Sequence, residues 1–325
     1  MNARELADGV LGGDRRSLSR AITAVESDRP EDEPIALELL DRCLPASGRS
    51  VRLGISGPPG VGKSTLIDAL GLRLVERGAR PSVLAIDPSS QKTHGSVLGD
   101  KTRMARLAAH PAAFIRPSPS RGESGGLAPR TREAMLLCEA AGFDHVLVET
   151  VGVGQSELAV ADLVDCLVVL VAPGAGDELQ GMKRGILEHA DLLVITKADG
   201  ADLARAEQAR SELESALGLF AHAAERPAVL LVSATTGQGV DALADALDAF
   251  HERAAASGAL TERRAAQDLA WFEHSVERGV RARLWSRPEL VQRKAELERA
   301  LLEGKLGARA AARELLDLAL PSARP

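Results

Sequence analysis

The chain has 325 residues, 45% hydrophobic and 26% charged, which are the proportions of a globular protein and not of a disordered or membrane-embedded one. That length suits one core domain plus an extension. A net charge of −6 argues against a nucleic-acid partner, which needs a basic face, and nowhere do eighteen apolar residues run together as a membrane span requires.

The first eight residues, from Met1 to Asp8, carry early acids and no apolar run of signal length, so a cytoplasmic protein is expected. Cys43, Cys138 and Cys166 are odd in number, widely spaced and beside leucines. Buried free thiols in a reducing compartment fit that pattern better than disulfides.

Residues 3 to 44 place apolar side chains at helical spacing: Leu18, Ile22 and Val25 on one face, then Ile35, Leu39 and Cys43 on another. Pro30 and Pro34 separate the two stretches and Pro45 ends the second. From about residue 50 short β-rich runs alternate with helical ones: Val51 to Ser56, Val83 to Ile86, His145 to Val148, Cys166 to Val171, Leu192 to Ile195 and Val229 to Val232. Most are nearly continuous in Val, Ile and Leu, as parallel strands are when crossover helices cover both faces. The fold predicted is α/β, a doubly wound and mostly parallel sheet. The run from Val51, interrupted by Arg52 and Gly54, is the least regular. Beyond residue 254 only helical stretches follow, near 260 to 286, 289 to 303 and 307 to 319. Three regions are therefore expected: helices over 1–48, the sheet domain over 49–254 and a helical extension over 255–325.

Gly57-Pro58-Pro59-Gly60-Val61-Gly62-Lys63-Ser64 matches the phosphate-binding loop G-x-x-x-x-G-K-[ST], between a predicted strand and a predicted helix. Backbone N–H groups of such a loop surround phosphate oxygens, Lys63 neutralises β/γ charge, and Ser64, followed by Thr65, offers a hydroxyl to Mg²⁺. The strand His145 to Val148 delivers Glu149, an acid placed to hold Mg²⁺ or its water, and Gly152, whose N–H can approach a γ-phosphate. Asp87 and Asp100 are further candidates for the metal shell.

Leu192 to Ile195 leads into Thr196-Lys197-Ala198-Asp199, of the guanine-binding form N/T-K-x-D. Asp199 can accept from guanine N1 and N2, which adenine cannot supply, while the Lys197 stem covers the base plane. Ser233-Ala234, after the last strand, supplies a second contact to the base. These point to GTP and GDP, with Mg²⁺. Of 40 basic residues only seven are lysines, and two of them, Lys63 and Lys197, stand where a compact ammonium or thin stem is wanted. The glycine-rich stretch from Pro173 to Gly181 is followed by Lys183 and Arg184, either of which could stabilise charge developing on the phosphates.

Gly13-Asp14-Arg15-Arg16, Asp87-Pro88-Ser89-Ser90, Gly99 to Met104, Phe114 to Ser120, Glu149 to Glu157 and Pro173 to Gly181 together resemble the methylmalonyl-CoA mutase-associated GTPases. The likeness is dense from about 50 to 250. It departs from the usual pattern at His94, where the family has Gly, and at Thr196, where it has Asn. The resemblance implies a homodimeric GTPase that chaperones a cobalamin-dependent mutase, gating adenosylcobalamin delivery and guarding against inactivation. It also implies that Ser64, Asp87, Asp100 and Glu149 surround Mg²⁺ and that Gly174 to Lys183 is a mobile switch loop. Of the two cations there, Lys183 is the one expected to act, as a rare lysine in an arginine-rich chain directly after the matching stretch. Two rivals differ in class. A metal-insertion GTPase needs thiol or imidazole clusters, yet the seven His and three Cys form no C-x-x-C or His-rich tract. A small-molecule kinase needs an acceptor site with its own base.

Overall fold

The computed structural model describes residues 2–27, 29, 31–87, 103–119, 127–150, 156–174, 189–220 and 226–320. They divide into two compact units, 1–264 and 265–325.

The first unit opens with three helices, α1 (Ala3–Leu11), α2 (Arg15–Val25) and α3 (Glu33–Cys43). Asn2 and Glu5 cap α1 reciprocally, and Asp14 caps α2 through the N–H groups of Arg16 and Ser17. Leu18, Ile22 and Val25 are buried, as are Leu39 and Cys43. After these helices, strands and helices alternate: β1 (Val51–Ser56), α4 (Lys63–Glu76), β2 (Pro81–Asp87), α5 (Ala105–Ala108), β3 (Phe114–Pro119), α6 (Leu127–Ala140) and β4 (His145–Glu149). Then come α7 (Ser156–Ala161), β5 (Cys166–Val171), β6 (Leu192–Ile195), α8 (Leu203–Phe220), β7 (Ala228–Leu231) and α9 (Val240–Ser257).

Among the described residues the seven strands are all parallel, in the order β3-β2-β4-β1-β5-β6-β7. Parallel pairing forces a crossover after each strand, so apolar side chains face helices on both sides. One face packs against α1 to α3 and α6 to α8 through residues such as Leu84, Val146, Val169 and Leu193. The other packs against α4, α5 and α9 through Leu53, Ile55, Val168 and Val194. In β1, Arg52 is buried because Glu139 on α6 meets its guanidinium at 2.7 and 3.0 Å. Gly54 is required because a Cβ there would stand 2.9 to 3.0 Å from Val160, Leu167 and Val164. Both irregularities in that strand thus have a packing cause.

The edge strand β3 carries Pro117 and Pro119, tolerable only where one side of the ladder needs no partner. Glu26, which caps the C-terminus of α2, bonds to Arg116 and accepts from the Ser118 hydroxyl at 2.6 Å, so the N-terminal helices secure this edge.

A long helix, α10 (Ala259–Trp285), begins in the first unit, after Gly258 closes α9 in the left-handed conformation. Its first turns are fixed by paired guanidiniums. Arg263 meets both carboxylate oxygens of Asp191, at 2.9 and 3.0 Å. Arg264 meets both of Asp165, at 2.6 and 2.8 Å, and also donates to the carbonyls of Gly48 and Ser50. Asp165 and Asp191 immediately precede β5 and β6, so this clamp grips the starts of the central strands.

The second unit contains the rest of α10, α11 (Pro288–Leu302) and α12 (Ala308–Ala319). Arg293 of α11 pairs with Glu314 of α12, and Arg287 donates to the Ala319 carbonyl. Leu269, Phe272, Val276 and Val280, the apolar stripe of α10, are exposed. No described helix is long and apolar enough to cross a membrane.

Cys43, Cys138 and Cys166 are free and buried. Burial pushes the Cys43 thiol to about 11 and the Cys138 thiol to about 12, and raises Cys166 well above the ordinary range. Thiols so reluctant to ionise are inert at neutral pH.

Candidate nucleotide site

The loop after β1 takes its shape from glycines at positive φ: Gly57 at 147°, Gly60 at 76° and Gly62 at 105°. Gly57 is constrained twice, since a Cβ there would also approach the Leu170 carbonyl oxygen of β5 to 2.7 Å. Gly62 turns the chain directly into α4, whose first residues are Lys63, Ser64 and the exposed Thr65. Val61 is buried and anchors the loop. The ammonium of Lys63 donates to the carbonyls of Gly57 at 2.7 Å and Pro58 at 3.1 Å, so the loop curls around a positive charge at the positive end of a helix.

Ser64 Oγ donates to Glu149 Oε1 at 2.7 Å, bringing together two groups 85 positions apart. Glu149 ends β4, and Ser64 opens α4 just beyond the loop that follows the adjacent strand β1, which pairs with β4 from Val51 with His145 to Ile55 with Glu149. Thr150, buried beside them, approaches Ser56 Oγ at 3.1 Å and stitches the end of β4 to the root of the loop. A hydroxyl and a carboxylate form an all-oxygen donor pair suited to a hard divalent cation that takes its other ligands from phosphate and water. Among the described residues no cluster of three His, Cys, Asp or Glu side chains is placed to hold a metal unaided. Asp87 closes β2, but its side chain, together with Asp100, Gly152 and Lys183, lies outside the described residues.

The base-binding candidates converge on the same edge. Thr196 Oγ1, buried, donates to the Val61 carbonyl at 2.7 Å and lies 3.3 Å from that of Val171. Lys197 holds a left-handed backbone, φ 55°, and its ammonium donates to the Gly60 carbonyl at 3.0 Å. The Ser233 hydroxyl donates to Asp199 Oδ2, orienting the carboxylate. Ser233 is itself held in a tight loop, its N–H donating to Gln238 O at 2.9 Å and its carbonyl accepting from Gly237 N at 2.9 Å, with Ala234 beside it. Gly239 ends that loop where a Cβ would collide with the Leu231 carbonyl oxygen at 2.1 Å.

The strand ends therefore unite Lys63, Ser64, Glu149, Thr196, Lys197, Asp199 and Ser233. Sequence reasoning missed Thr150 as a support. Its signal was its place after Glu149 at a strand end. It also missed Gly239, whose signal was the Gly237-Gln238-Gly239 spacing after Ser233.

Residues 18–289, well over half of the chain, match the family described as methylmalonyl Co-A mutase-associated GTPase MeaB. The chain belongs to this family. It is 50% identical over 316 residues to a probable GTPase of Mycobacterium tuberculosis, covering 97% of this chain and 94% of the relative. It is 44% identical over 323 residues to the Mus musculus protein named methylmalonic aciduria type A homolog, mitochondrial, covering 96% of this chain and 78% of the relative. A crystal structure described as a LAO/AO transport system kinase superposes with a TM-score of 0.74 at 37% identity, covering 97% of each chain. The protein is accordingly a P-loop GTPase that hydrolyses GTP to GDP and phosphate.

Proposed function

We propose that this GTPase acts as a switch on methylmalonyl-CoA mutase or a related cobalamin-dependent mutase, gating the loading of adenosylcobalamin and protecting the loaded enzyme. Support comes from the family match and from the mouse relative's name. The observation that carries the hydrolytic part is the meeting of Ser64 and Glu149 beside a lysine-centred phosphate loop.

In this reading, Gly57, Gly60, Val61, Gly62, Lys63, Ser64, Thr65 and Gly152 contact the phosphates. Thr196, Lys197, Asp199, Ser233 and Ala234 form the base site. Mg²⁺, when bound with GTP, neutralises charge on the β- and γ-phosphates. Ser64 and Glu149 hold it together with Asp87 and Asp100. Lys63 stabilises negative charge on the transferred group, and Lys183 supplies a second cation that couples nucleotide state to the mutase. The GTPase works as a cytoplasmic homodimer joined through its C-terminal helices.

The test is phosphate release measured without added acceptor, with and without purified methylmalonyl-CoA mutase. Release without acceptor separates a switch from a small-molecule kinase. The mutase is expected to raise turnover at least several-fold, and Lys183→Ala to keep GDP affinity while losing that stimulation and uncoupling cofactor transfer. Turnover indifferent to the mutase overturns the partner assignment, and unchanged stimulation in Lys183→Ala removes the role given to Lys183.

A further inference from the structure

The base loop departs from the usual asparagine at Thr196, and the geometry shows what the threonine does. A threonine hydroxyl has one proton to donate. At Thr196 that proton faces the Val61 carbonyl of the phosphate loop at 2.7 Å, with the Val171 carbonyl of β5 as a second, more distant acceptor at 3.3 Å. An asparagine has two N–H donors and a carbonyl, so it can hold a neighbouring loop and still offer a donor to a base. Threonine cannot do both. The edge of guanine away from its N1 and N2 donors presents only acceptors, N7 and O6. A hydroxyl whose proton is committed has nothing to offer either atom.

The adjoining residues divide the remaining work. Lys197 Nζ donates to the Gly60 carbonyl at 3.0 Å, a second tie from the base loop to the phosphate loop. The Ser233 hydroxyl holds one oxygen of Asp199, leaving the carboxylate able to accept from guanine N1 and N2. The N–H of Ala198 donates to Val232 O at 3.2 Å and that of Ser233 to Gln238 O at 2.9 Å, so neither is directed at a base.

We infer that Thr196 is a tether that fixes the base loop on the phosphate loop and does not read the base, so that guanine is recognised at N1 and N2 through Asp199 while N7 goes unread. This rests on the base-site assignment made above. Its consequence is a GTPase indifferent to the atom at position 7 of the purine, and a threonine whose loss weakens all purine nucleotides alike.

The experiment is calorimetric titration of the full chain with GDP, 7-deaza-GDP and ADP, repeated on Thr196→Val, Thr196→Ser and Thr196→Asn. Wild type should bind GDP and 7-deaza-GDP within about twofold of each other, and ADP far more weakly. Thr196→Val, which keeps the shape and loses the hydroxyl, should weaken GDP and 7-deaza-GDP by the same factor, about tenfold. Thr196→Ser should restore both, which separates the hydroxyl from a packing defect. Thr196→Asn should introduce a preference for GDP over 7-deaza-GDP. If wild type binds GDP tightly but rejects 7-deaza-GDP by tenfold or more, or if Thr196→Val binds as wild type, the tether role is wrong while the base site stands. If wild type binds ADP as well as GDP, the base-site assignment fails and the inference with it.

Discussion

At the scale of single residues, charges buried beneath the sheet carry much of the specificity of the fold. Burial pushes the Glu139 carboxyl up, but the Arg52 guanidinium, the Ser50 hydroxyl and the Gly48 N–H outweigh burial and hold it below the ordinary carboxylate range. A carboxyl depressed by folding contributes stability that is complete above its unfolded pKa and is lost as pH falls through its folded value. The urea midpoint should therefore hold from neutral pH to about 5 and decline below it. Glu139→Gln should flatten part of that decline and cost about 3 kcal/mol at neutral pH, because Arg52 would be left buried without its counter-charge. Equilibrium unfolding of both proteins across that range checks the sign and the size. A decline of equal steepness in the variant would show that Glu139 does not carry it.

At the scale of elements, most strands could be read from sequence because parallel strands covered on both faces must be apolar throughout. Cys166–Val171 and Leu192–Ile195 were found at their observed ends for that reason. β3 was not, because Pro117 and Pro119 break the strand pattern, and only its edge position, unknowable from local sequence, permits them. The N-terminal stretch read as helical is broken once more than expected, where Gly12 ends α1 and Gly13 takes φ 75°. The phosphate and base loops were legible because each pairs a glycine or lysine signature with a strand end. The ties of Thr196 to Val61 and of Arg264 to Asp165 were not, since they join residues 135 and 99 positions apart. The arginine clamp yields a prediction about where the chain can be cut. A protein ending after residue 254 lacks Arg263 and Arg264 and leaves Asp165, nearly inaccessible, without its guanidinium. One ending after residue 268 keeps both. Thermal melts should place the shorter protein several degrees below the longer, by the several kcal/mol expected when a buried pair loses one member. Equal melting temperatures would make the clamp dispensable.

For the whole molecule, the exposed stripe of Leu269, Phe272, Val276 and Val280 is the feature most in want of a partner. The proposed homodimer covers it. Light scattering of wild type should give twice the chain mass, and a variant carrying Leu269→Glu with Phe272→Glu should give a monomer that still binds GTP. A wild-type monomer would remove the dimer, and a dimer unaffected by both substitutions would move the interface elsewhere. The same extension defeated residue-level reading in one respect: periodicity shows that a helix has an apolar face but not what covers it.

The arrangement of the sheet also sets a timetable for synthesis. β1 is made early but lies between β4 and β5, so its two neighbours are not both present until residue 171 has been added. Gly57 is shaped against the Leu170 carbonyl, and the loop that follows it is tied to Thr196. At about 5–20 residues per second, ribosomes would leave the phosphate loop incomplete for roughly 5 to 25 seconds before the strands that brace it are made. A nascent chain arrested before β5 leaves β1 as an open edge with one side of its ladder unpaired, and nucleotide can stabilise the protein only after both binding loops have left the ribosome.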